Sequence, residues 1–243
     1  MRMLTFAKRN FKELIRDPLN LCFLFGFPVV LLLLLSAIQA NIPVSMFEIE
    51  HLSPGTAVFG LAFLTLFSAT LIAKDRQSSL IHRLYTTPMT PADFILGYTL
   101  PLLPIALAEG VACYVFAYIL GLKLSVNILF AILALLPVAL LYIAIGLLCG
   151  SVFNDKQVGG ICGALLTNVS AWLSGIWFDL ELVGGAFRDI AYALPFVHGV
   201  ELERAVLAGN FAGALPHLVW VMGYAVGILA LAVLLFLRQM KRQ

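Results

Sequence analysis

A chain of 243 residues that is 62% hydrophobic and 12% charged lies far from ordinary soluble domains, which are about 45–50% apolar and about 25% charged. It reads as an integral membrane protein, with membrane lipid around it and no nucleic-acid partner. The ten-residue alternation of a membrane barrel and the polar blocks of a second domain are both missing. The expected fold is therefore all-α: one polytopic helical bundle over residues 1–243.

The bilayer core is about 30 Å thick and an α-helix rises about 1.5 Å per residue, so about 20 apolar residues make one span. Ahead of the first such run, residues 2–17 set Leu4, Ala7, Phe11 and Leu14 on one helical face and Lys8, Lys12 and Arg16 on another. This spells an amphipathic interface helix on the membrane surface, broken at Asp17-Pro18. It anchors on anionic lipid alone, or also touches a cytoplasmic partner. Apolar runs follow at about 19–39 and 54–73. The first starts late and is too long for a cleaved signal, so it is read as an uncleaved span.

Residues 74–94, KDRQSSLIHRLYTTPMTPADF, interrupt the apolar sequence. Leu80, Ile81, Leu84 and Tyr85 form a helical stripe flanked by Arg76 and Arg83, and Thr86-Thr87-Pro88 closes that short helix. Thr90, Pro91 and Asp93 make a capping-box start for the next one. A plain positive-inside loop would explain the basic residues but neither the stripe nor the helix ends. The third span, 94–121, holds Pro101 and Pro104, which should kink it. Its Glu109 is the only Asp, Glu, Lys or Arg within any of the runs.

Runs at 127–151, 157–177 and 215–237 complete six expected spans. Gly146-x-x-x-Gly150, Gly159-x-x-x-Gly163 and Gly223-x-x-x-Gly227 are spacings for close helix approach, read first as packing within the chain rather than as a dimer face. Residues 178–214 are too apolar for a solvated loop. Punctuated by Gly184-Gly185 and Leu194-Pro195, they are expected to form short helices that dip into the outer leaflet or cap the bundle. With the N-terminus inside, every Lys and Arg except Lys123, Arg188 and Arg204 falls on the cytoplasmic side, so both termini are expected there, in the cell membrane. Cys22, Cys113, Cys149 and Cys162 show neither metal-ligand nor disulfide spacing, so no metal site is expected.

Three features together resemble the permease subunit of the ABC-2 class of ABC transporters. They are the interface helix with six spans, the stretch KDRQSSLIHRLYTTPMTPADFILGYTLP, and LSGIWFDLE with LPFVHGVELERAVLAG before the last span. The resemblance covers essentially the whole chain. It implies an ATP-driven exporter with two permease subunits, a homodimer or a pair of paralogues, and two cytoplasmic ATPase subunits. No glycine is followed by lysine, so the chain has no phosphate loop. ATP and Mg are expected on the separate ATPase, with no cofactor and no enzymatic activity on this chain.

By the same resemblance, residues 75–87 are the coupling helix that docks in a cleft of the ATPase, through Arg76, Leu80, Ile81, Arg83, Leu84 and Tyr85. Leucines would fill the groove and arginines meet its polar rim. The second and fifth spans would line the substrate path with Phe63, Phe67, Ser68 and Thr70, and with Thr167, Asn168, Ser170, Trp172 and Ser174. Mixed aromatic and hydroxyl lining suits an amphipathic or hydrophobic cargo such as a drug, lipid, peptide or glycan. Ser and Thr in spans, however, also bond their own helix.

Other classes fit less well. A secondary transporter would need coupled ionisable groups at mid-membrane, where Glu109 stands alone. An intramembrane enzyme would need a group such as His beside an acid, and His217 has no acid partner in sequence. A permease-like sensor or scaffold remains open. Glu109 lies about 15 residues into its span and should face protein or water, as a polar contact in the path or as a structural tie.

Overall fold

A computed structural model describes residues 2–41, 47–78 and 90–241, and among them there are helices and turns but no strand. Helix α1 (Arg2–Ile15) leads into α2 (Pro18–Gln39), whose start is capped by Asp17 Oδ1 accepting from Asn20 N at 3.2 Å. Then come α3 (Ile49–Gln77), α4 (Pro91–Thr99), α5 (Leu102–Ile119) and α6 (Val126–Val152). Helix α7 is the run 155–172, with a π-helical middle, Gly159–Leu166. Three short helices, α8 (Leu180–Val183), α9 (Gly185–Ala193) and α10 (Pro195–Leu207), precede the long α11 (Phe211–Lys241).

Among the described residues five segments are long and apolar enough to cross a membrane: Pro18–Gln39, Ile49–Gln77, Ala92–Ile119, Val126–Val152 and Phe211–Phe236. They coincide with five of the six runs legible in the sequence. The run at 157–177 is not among them. Its helix opens on Asp155, Lys156 and Gln157, carries Asn168, and gives way to turns after Trp172, so the apolar helical stretch is short. The third segment is two helices meeting at Leu100-Pro101, since proline offers no N–H to continue the ladder.

Helix α3 forms the centre of the bundle. Its apolar window is 89% buried, against 17% for α11, and it packs on α2, α5, α6, α7 and α10. Lipid tails are as apolar as leucine, so close approach and hydrogen bonds, rather than escape from water, hold such helices together. The seam with α6 shows both. A Cβ on Gly146 would collide with Ser68 Oγ, and one on Gly150 would stand 2.7 Å from Ala69 O. Thr65 Oγ1 donates to Tyr142 O across the seam at 2.9 Å. The Gly146/Gly150 spacing thus serves packing within the chain. Gly223 and Gly227 do not: open space lies beside both, on the outer side of α11.

Candidate functional site

A polar junction joins α1, α3 and α4. Phe6 sits over Gly97, where a Cβ would strike its ring, and stands edge-on to Phe94 and Tyr98 with centroids 5.9 and 5.0 Å away. Beside it the fully buried Asn10 donates from Nδ2 to Gly97 O at 2.9 Å. The apolar face of α1 therefore grips α4 rather than resting on lipid alone. On the next turn Arg9 clamps Asp75 with both ends of its guanidinium, Nη1 at 2.7 Å from Oδ2 and Nη2 at 2.8 Å from Oδ1. Tyr98 OH donates to Asp75 Oδ2 at 2.9 Å, and Arg9 also holds Glu13 at 2.7 Å. A buried carboxylate is tolerated only when donors replace its lost water, and Asp75 has three.

Arg76 points elsewhere. Its Nη1 donates to Gly150 O at 2.9 Å, satisfying a carbonyl in the last turn of α6 that has no helical partner. The C-terminal end of α3 is thereby tied to α1, α4 and α6 at once. The chain next enters residues 79–89. Leu80, Ile81, Arg83, Leu84 and Tyr85, expected at an ATPase contact, lie outside the described residues. Beyond them the capping box of α4 is present, with Asp93 N donating to Thr90 Oγ1 at 3.2 Å and Thr90 N to Asp93 Oδ2 at 2.8 Å.

The residues expected along a substrate path separate into groups. Phe63 joins Phe23, Phe27 and Phe59 in a ring cluster facing α2. Phe67 and Thr70 line a cavity of about 490 Å³ together with Leu14, Arg16, Leu71 and Lys74. Ser68 turns away from it, donating to Leu64 O in its own helix at 2.9 Å. Thr167, Ser170 and Ser174 are buried and donate to carbonyls three to five residues back, those of Cys162, Thr167 and Ala171. Asn168 and Trp172 are exposed, aligned with exposed Leu165 along one side of α7. Gly159 and Gly160 have open space beside them.

Glu109 is fully buried. Its Oε1 accepts from Cys113 Sγ at 3.0 Å, within its own helix, while Oε2 has no partner among the described residues. Gly60 of α3 makes room for it, since a Cβ there would collide with Oε1. A hydrogen bond from α5 to α10 comes from further along the helix, where Tyr114 OH donates to the fully buried Glu203 at 3.0 Å. Glu203 Oε1 is likewise unpartnered among the described residues.

At the other end of the bundle His198 of α10 meets His217 of α11, Nδ1 to Nδ1 at 2.9 Å, and its Nε2 lies 3.0 Å from Tyr192 O. A carbonyl only accepts, so His198 Nε2 carries a proton. Neutral His198 then accepts at Nδ1 from His217. Trp220 stacks on His198 at 4.9 Å, and Tyr224 OH donates to Ala193 O at 2.6 Å. Burial, and then the neighbouring His217, hold the His198 imidazole below its ordinary pKa, against the pull of the Tyr192 carbonyl and Glu201.

Sequence reasoning passed over Asp75, Tyr98, Glu203 and His198. Their partners are 66, 23, 89 and 19 residues away, so no local spacing announces them. The one available signal was that Asp75 is the only acid in a basic stretch at the end of an apolar run. Among the described residues no group of three or more His, Cys, Asp or Glu could hold a metal ion. A family model described as ABC-2 type transporter matches residues 1–208. No curated protein matches the chain.

Proposed function

Because the chain belongs to the ABC-2 type transporter family, we propose that it is the permease subunit of an ATP-driven exporter, carrying an amphipathic or hydrophobic cargo out of the cell. The supporting observation is the three-way tie at the end of α3, through Arg9–Asp75, Tyr98–Asp75 and Arg76–Gly150. A cytoplasmic ATPase docked on the 75–87 segment would move α1, α4 and α6 as one unit. Ligand-driven change requires such a physical link between the docking site and the helices that shift.

In this reading ATP and Mg bind the ATPase, α7 is the fifth of six crossings, residues 178–214 dip into the outer leaflet, and both termini are cytoplasmic. The exposed side of α7, with Leu165, Asn168 and Trp172, is where a second permease subunit packs, so that the path forms between two copies. Leu84→Asp combined with Arg83→Glu tests the docking. The pair is expected to leave the permease folded in detergent and to strip the ATPase from it during co-purification, because a groove-filling interface residue is worth at least about 1–2 kcal/mol. Normal co-purification with intact transport would refute the docking role.

A further inference from the structure

The cavity between α1, the start of α2 and the end of α3 has charged walls and an apolar floor. Its volume is about 490 Å³, within the range of about 300–1,000 Å³ typical of small-molecule sites. Leu14, Phe67 and Leu71 are buried beneath it. Of the charges around it, every carboxylate is already engaged. Asp75 is held by Arg9 and Tyr98, Glu13 by Arg9, and Asp17 by the backbone N–H and side-chain amide of Asn20. Arg9 is occupied by the two acids it binds. Arg16 and Lys74 remain, both exposed at the cavity and neither with an acidic partner among the described residues. The charge available to an occupant is therefore positive, although the formal sum around the cavity is not.

We propose that this cavity binds a phosphate-bearing amphiphile, with its phosphate between Arg16 and Lys74 and the start of its tail on Phe67 and Leu71. An amphipathic helix such as α1 lies at the depth of lipid headgroups, which puts cations and apolar floor at the two levels such a molecule needs. Arginine and lysine are the side chains that meet phosphate with charge-assisted hydrogen bonds. Thr70 adds a hydroxyl to the wall. Calling the occupant cargo rests on the exporter reading; the binding itself does not.

The test uses the purified full-length chain in detergent, without ATPase, and native mass spectrometry to count bound lipid. It is titrated with dioleoylphosphatidylglycerol, with phosphate-free dioleoylglycerol, and with inorganic phosphate as competitor. Phosphatidylglycerol is expected to bind and dioleoylglycerol not. Arg16→Gln with Lys74→Gln should weaken binding by about tenfold or more, since both charge-assisted contacts are lost. Lys156→Gln with Arg238→Gln removes the same charge from helices that do not line the cavity and should change little. Thr70→Phe, which fills the cavity and spares the cations, should also weaken binding, and it decides the matter if the double variant elutes as misfolded.

Five results would overturn the proposal: no binding of phosphatidylglycerol, undiminished binding in the Arg16/Lys74 and Thr70 variants, equal loss in the Lys156/Arg238 control, equal binding of dioleoylglycerol, or displacement of the lipid by millimolar phosphate. Because no ATPase is present, a failed docking experiment leaves this result standing. Absent lipid binding with normal ATPase co-purification would sink the cavity alone.

Discussion

At single residues, Glu109 fits closely against Gly60. Gly60→Ala drives a methyl into Glu109 Oε1 and to 2.9 Å from Pro28 Cγ. Overpacking of this kind costs about 1–3 kcal/mol, to be read as a lower unfolding temperature in detergent. Adding Glu109→Ala should recover part of that loss, and strict additivity of the two changes would show that the carboxyl is not the obstacle. Glu109→Gln keeps the shape, and the intrahelical Cys113 contact points to a structural role, so transport is expected to survive in Gln while Glu109→Leu assembles poorly. A Gln variant that assembles normally and does not transport would place the charge in the path instead.

The His198–His217 contact carries a pH dependence whose sign follows from the depressed His198 pKa. The folded state prefers the neutral ring, so this contribution is present above the ordinary value of 6.5 and is lost as pH falls below it. Hydrogen exchange in 195–207, corrected for intrinsic rate, is expected to show reduced protection at about pH 5.5 relative to about pH 7.5. His198→Gln should flatten the difference. An unchanged slope in that variant would mean another group is titrating.

At the level of helices, the α1–α3–α4 junction holds three elements together because one carboxylate serves two neighbours. Asp75→Asn leaves Arg9 without its bidentate partner and removes an acceptor from Tyr98. The expected loss is about 1–3 kcal/mol, with ATP hydrolysis in the assembled complex no longer matched to transport. Full coupling in Asp75→Asn would make the junction a structural tie only. The α3–α6 seam is less forgiving: Gly146→Leu has no space to occupy against Ser68, and monodisperse protein is not expected from it. The same change at Gly223 meets open space and should be tolerated in the isolated chain.

For the molecule as a whole, the number of crossings decides where the termini lie. If α7 crosses, Ser78→Cys and Gln243→Cys are both shielded from an impermeant thiol reagent applied outside intact cells, and Ser45→Cys is labelled. If only the five long segments cross, Gln243→Cys is labelled as well. External labelling at Ser78→Cys would reverse the orientation altogether. Charge asymmetry predicts the first pattern, because all but three of the basic residues then lie inside.

Five helices of membrane-crossing length, the amphipathic α1, the proline break at Leu100-Pro101 and the capping box at Thr90 were determined by sequence alone. Each depends on hydropathy or backbone chemistry within one or two helical turns, and such information is local. The partners of Asp75, Glu203 and His198 were decided only in the tertiary structure, which brings together residues far apart in the chain. The glycine pairs make the same point. Gly146/Gly150 and Gly223/Gly227 have the same spacing, yet one pair lies in a seam and the other faces open space, because a motif states how closely a helix can be approached and not which helix approaches it.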